Sequence, residues 1–164
     1  MGKLLIISAT KDNNLTLAKH LQSLLKGEGQ EANLICLEDH PLPLYSGDGS
    51  LDGESINGLV EALNEADGFI FCSPEYNGGV PPILSNAITW VTVKSKNWRD
   101  AFIGKFALIA THSWGSGHRF INAFRSQLEY MGTNVLARSI SVTKETPLNE
   151  ESAIRILKSL IDIV

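Results

Sequence analysis

Sulfur is scarce in this chain, with two cysteines and two methionines among 164 residues. Cys36 and Cys72 both sit inside apolar runs (Leu34-Ile35-Cys36-Leu37 and Phe69-Ile70-Phe71-Cys72). That setting favours small buried hydrophobes over a disulfide or metal ligands. Long apolar stretches are missing too: Leu4-Leu5-Ile6-Ile7 is far too short for a secretory core or a membrane span, and no other run approaches spanning length. A soluble, cytoplasmic protein is therefore expected. There is no excess of positive charge, since the formal net charge is -4 and Lys and Arg are scattered. Nucleic acid is excluded as an expected partner. No Gly-x-Gly-x-x-Gly follows the first apolar run, no Gly-x-Ser-x-Gly elbow occurs, and no Ser-His-Asp order stands out. His112 and His118 have no evident third ligand, so no metal site is assigned.

What is present is a regular alternation. Apolar runs at Leu4 to Ser8, Ala32 to Leu37, Gly68 to Cys72 and Phe106 to Ala110 read as buried strands, with a weaker fifth at about Val135 to Val142. Between them the apolar residues recur at helical spacing, as in Leu15, Ala18, Leu21, Leu24 and Leu25. Such alternation predicts one α/β domain over residues 1–164, a parallel sheet with helices on both faces. Right-handed crossovers leave few topologies for five strands. The commonest is the flavodoxin-like three-layer sandwich of strand order 2-1-3-4-5, whose ligand crevice lies beyond the carboxyl ends of strands one, three and four. The long irregular stretch Asp39 to Asp52 is expected to be a surface loop over that crevice.

Three loops fall at those strand ends. In the second of them, Ser73 to Pro82, Pro74 pushes Ser73 out of the helical region while Gly78 and Gly79 permit positive φ and close approach of backbone to a ligand. Composition alone leaves a ligand-binding loop and a plain strand-to-helix turn equally open. The stretch Ser73-Pro-Glu-Tyr-Asn-Gly-Gly-Val-Pro-Pro-Ile-Leu-Ser-Asn-Ala-Ile-Thr-Trp90, however, closely resembles the central motif of the NADPH-dependent FMN reductase family, which includes azoreductase, quinone reductase and chromate reductase relatives. The resemblance extends, less tightly, over essentially the whole chain.

That resemblance implies FMN held along Pro74, Glu75, Tyr76, Asn77 and Gly78, with Asn86 and Trp90 packing the following helix. It also directs the first loop, where Ser8, Thr10, Lys11, Asn13 and Asn14 precede a helix, toward the FMN phosphate. On composition alone, that loop is at least as well explained as an N-cap with nothing bound. The family usually has Gly-Ser-x-Arg-x-x-Ser-x-Asn here, and this chain lacks the glycine and the arginine. In the third loop Ser113, Gly115 and Gly117 resemble the segment that meets the flavin pyrimidine, Trp114 can cover an aromatic ring, and His118 and Arg119 can attract an anionic nucleotide.

The expected function is an FMN-dependent NAD(P)H oxidoreductase that passes electrons from NADPH or NADH through the flavin to a small acceptor such as a flavin, quinone, azo compound or metal oxyanion. No catalytic side chain is assigned, because the cofactor carries the chemistry. The family resemblance implies a homodimer or homotetramer. Two rivals remain at this point: a flavodoxin-like electron carrier for a protein partner, and a catalytically idle domain that keeps the fold for interaction.

Overall fold

The computed structural model describes residues 2–164. Four strands, β1 (Leu4–Ser8), β2 (Ala32–Cys36), β3 (Gly68–Cys72) and β4 (Phe106–His112), lie parallel in the order β2-β1-β3-β4. Leu4 pairs with both Ala32 and Gly68, and Gly68 in turn with Phe106, so the strands run in step. The expected fifth strand is instead two short ones, β5 (Asn134–Val135) beside the start of β4 and β6 (Ile140–Val142) beside its end. The Leu136 N–H still donates to the Ala107 carbonyl of β4 at 2.8 Å, after which the chain leaves the ladder until β6, and the Arg125 guanidinium donates to the carbonyls of Val135 and Leu136. Apart from that split, the sheet has the expected order 2-1-3-4-5.

Five helices cover the sheet: α1 (Asp12–Gly27), α2 (Glu54–Glu65), α3 (Pro82–Lys94), α4 (His118–Tyr130) and α5 (Glu150–Ile161). Strand side chains alternate between faces. Leu5 and Ile7, Phe69 and Phe71, and Ala107 and Ile109 join the core under α2, α3 and α4. Their neighbours Leu4 and Ile6, Ile70 and Cys72, and Leu108 and Ala110 join the core under α1 and α5. Continuous apolar runs follow from having both faces covered. Each large side chain so buried stabilises the fold by about 1.5–3 kcal/mol relative to exposure. No helix among the described residues is long and apolar enough to cross a membrane.

Residues 40–53, with the short 3-10 turn Leu37–Asp39 ahead of them, form the long loop between β2 and α2. The loop is tied to α3. Asn86 accepts from the Tyr45 N–H at 2.9 Å and donates to the Pro43 carbonyl at 3.0 Å, while the buried Trp90 donates its indole N–H to the same carbonyl at 2.7 Å. Asn86 and Trp90 thus do more than pack their own helix. They fix the path of a segment about 40 residues earlier in the chain.

Candidate functional site

The loops after β1, β3, β4 and β6 meet at the carboxyl edge of the sheet around a cavity of about 640 Å³. Small-molecule sites occupy roughly 300–1,000 Å³. The loops are stitched to one another by hydrogen bonds of the protein itself. Asn14, on the first turn of α1 and 3% exposed, donates to the His112 carbonyl at 3.0 Å and accepts from the His112 N–H at 2.9 Å. The Glu75 N–H donates to Ser113 Oγ at 2.8 Å, and Ser113 Oγ lies 2.8 Å from Thr111 Oγ1.

Glu75 also completes α4. The residue flanking that helix is Gly117, which has no side chain to cap the first turn, and its φ of 65° suits glycine. A Cβ there would come within 2.7 Å of Thr111 Cγ2. Glu75 Oε2 accepts from the Phe120 N–H at 3.0 Å instead, placing a carboxylate at the positive end of α4. Tyr76 to Gly79 close a tight turn through two main-chain hydrogen bonds, Tyr76 N–H to the Gly79 carbonyl at 3.2 Å and the reverse at 2.9 Å. Positive φ at both central residues, 50° at Asn77 and 71° at Gly78, accounts for the Asn-Gly pair.

The structure brings Thr10, Lys11, Asn13, Asn14, Pro74, Glu75, Tyr76 and Ser113 onto the cavity wall. It does not bring Ser8, Asn77, Gly78, Gly115 or Gly117 there. Ser8 is buried and donates to the Thr10 carbonyl at 2.7 Å. Asn77 and Gly78 form the turn tip, and Gly117 serves the start of α4. The wall further includes Asp12, Glu38, His112, Trp114, Lys144 and Glu145. Of these, Lys144 and Glu145 follow β6 at the carboxyl edge, in a loop outside the three expected to form the crevice, those after strands one, three and four. Glu38 follows β2 at the same edge, a position that marks it once the strand order is known.

At the start of α1 the electrostatics are settled within the protein. The Lys11 main-chain N–H donates to Glu38 Oε2, and the Lys11 ammonium pairs with Asp39 at 2.8 Å. Hydrogen bonding to Asp39 raises the Lys11 pKa, and the same contact lowers that of Asp39. Both groups are solvated, so the pair contributes little to stability. Cys72 is fully buried and its thiol is pushed up by burial, as expected for a packing residue and not a nucleophile.

The remaining cavity groups suit a flat heterocycle with a polar tail. Tyr76 is about half exposed and Trp114 fully so, and both rings stand on the wall. Thr10 and Asn13 add polar side chains to the same wall.

The chain has relatives in sequence and in fold. The sequence matches the family model described as NADPH-dependent FMN reductase over residues 3–147. It is 27% identical over 144 residues to an NADPH azoreductase from Bacillus sp. (strain OY1-2), covering 84% of this chain and 75% of that one. It is 36% identical over 77 residues to a quinone reductase from Escherichia coli (strain K12), covering 45% of this chain and 39% of that one. In fold it is similar to FerB, a flavoenzyme NAD(P)H:(acceptor) oxidoreductase from Paracoccus denitrificans, with a TM-score of 0.81 and 20% identity over 99% of this chain and 97% of that chain. The match runs from the residue before β1 through the turn after β6, and so spans every loop that walls the cavity: the chain belongs to the NADPH-dependent FMN reductase family.

Proposed function

We propose that the chain is an FMN-dependent oxidoreductase that draws electrons from NADPH or NADH and delivers them to a small acceptor. The observation that carries this reading is a cavity of fitting size, walled by the Pro74–Tyr76 segment of the family motif and by Ser113 and Trp114. When bound, FMN would supply hydride acceptance and electron release. Pro74, Tyr76, Ser113 and Trp114 would hold the ring system, and Thr10, Lys11 and Asn13 would take the phosphate end. The stitched loops hold these groups in place before binding, so less ordering is needed when a ligand arrives. The acceptor class follows from the named relatives, an azoreductase and a quinone reductase. We further propose a homodimer or homotetramer, supported by the exposed Trp98 and Tyr130, whose rings lie 5.8 Å apart and form a joint apolar surface.

The test is direct. Purified protein is incubated with FMN, freed of excess and scanned in the visible range, then supplied with NADPH or NADH and a benzoquinone under steady-state conditions. Retained flavin and quinone-dependent nucleotide oxidation are expected. Absence of both flavin uptake and nucleotide oxidation would sink the reading.

A further inference from the structure

We propose that Glu38 is an internal competitor for the anion position at the start of α1, so that the phosphate of the flavin gains the Lys11 N–H only by displacing this carboxylate. The proposal rests on the flavin reading of the cavity and adds a residue that sets how strongly the site distinguishes a phosphorylated flavin from an unphosphorylated one.

Three observations carry it. The Lys11 N–H, the donor that flanks α1, already has an anionic acceptor in Glu38 Oε2. The one cation on that loop is held as well, because Asp39 takes the Lys11 ammonium at 2.8 Å. Both carboxylates come from the same three-residue turn, Leu37–Asp39, so β2 delivers them to the helix start together. Glu38 is also a wall residue of the cavity itself. A phosphate approaching Lys11 therefore meets a like charge as well as an occupied donor, and two anions sharing one donor repel.

Displacement has somewhere to go. Glu38 also lines a second cavity of about 590 Å³, bounded by Pro41, Leu42, Ile83 and Asn86 on its far side. The two cavities share Lys11, Asp12 and Glu38. A rotation of the flexible Glu38 side chain from one to the other frees the Lys11 N–H without moving a strand or a helix. The long loop that carries Pro41 and Leu42 is held to α3 by Asn86 and Trp90 through the Pro43 carbonyl.

The experiment titrates the apoprotein with FMN and, separately, with riboflavin, following flavin fluorescence, for the parent, Glu38→Gln, Glu38→Ala and Asp39→Asn. Glu38→Gln keeps shape and an acceptor but removes the charge, and should tighten FMN binding about tenfold, the equivalent of one charge-assisted hydrogen bond no longer contested. Riboflavin, which has no phosphate, should change by no more than about twofold, since it carries no charge to repel. Glu38→Ala should gain at least as much as Glu38→Gln. Asp39→Asn should give a smaller gain, for FMN alone, that fades as salt is added. Unchanged or weaker FMN binding in both Glu38 variants overturns the proposal, as does an equal change for the two flavins. If no chain binds either flavin, the flavin reading itself fails and the proposal falls with it. Riboflavin binding with no Glu38 effect rejects the proposal alone.

Discussion

Asn14 offers the sharpest check on how the site is held together. Its side chain forms two hydrogen bonds to the main chain of His112, one as donor at 3.0 Å and one as acceptor at 2.9 Å, in a position only 3% exposed. Asn14→Leu keeps the volume and removes both bonds, leaving the His112 N–H and carbonyl without their partners. A stranded buried polar group costs about 1–3 kcal/mol. Partial access of water at the loop end places the sum for the two near the low side, about 3 kcal/mol. For a domain of this size each kcal/mol lowers the melting midpoint by about 2–4 °C, so a fall of about 6–12 °C is expected. Far-UV circular dichroism during thermal unfolding, with a urea titration as second measure, reads it. Flavin affinity should fall as well, equally for FMN and riboflavin, because the first and third loops lose their common anchor; this separates the effect from that of Glu38. A midpoint within about 1 °C of the parent would refute the reasoning, since no loop relaxation replaces two buried bonds without cost.

Cys72 is fully buried with its thiol raised by burial, so Cys72→Ser should retain turnover while losing about 1–3 kcal/mol of stability to an unpaired hydroxyl; loss of turnover with an intact fold, seen by steady-state assay and circular dichroism, would reassign the residue. Lys105 donates from its ammonium to the Leu63 and Asn64 carbonyls at the end of α2, and burial lowers its pKa below the ordinary 10.5. The unfolded chain then binds this proton more readily, so the contribution of Lys105 to stability rises as pH climbs from the lowered folded value toward 10.5. Lys105→Met should flatten that rise, measured as the change in urea midpoint between about pH 8 and 10 relative to the parent; equal slopes in the two proteins would contradict it.

Most of the fold is legible in the sequence, because burial on both faces forces continuous apolar strands and helical spacing between them. The strand order follows from handedness and alternation. The fifth strand is the exception, and the reason is physical. Val135 and Ile140 carry the apolar signal of one strand, yet beyond Leu136, whose N–H still reaches the Ala107 carbonyl of β4, the ladder is interrupted, and Arg125 takes the carbonyls of Val135 and Leu136. A long-range partner from α4 cannot be read from a local pattern. Lys144 and Glu145 lie outside the expected site for a different reason, since they follow the fifth strand and the crevice is expected beyond strands one, three and four.

Site residues are harder to assign than strands because a polar side chain in a strand-end loop has two kinds of partner. It can face a ligand, or it can hold the main chain of a neighbouring loop, and linear order does not say which loops are neighbours. Ser8 and Asn86 took the second course, bonding to main-chain atoms of Thr10 and of Tyr45 and Pro43, whereas Asn14 and Glu75 stand on the cavity wall and also bond to main-chain atoms of His112 and Phe120. Several polar residues of the family motif and of the first loop thus specify how the cavity is built. The other groups on its wall include Thr10 and Asn13 of the same first loop, together with Trp114, Glu38 and Lys144 from the segments after β4, β2 and β6. A rigid frame with separately supplied wall groups lets selectivity change by substitution at one exposed carboxylate while the stitched loops stay in place, and it is at Glu38 that the structure puts that control.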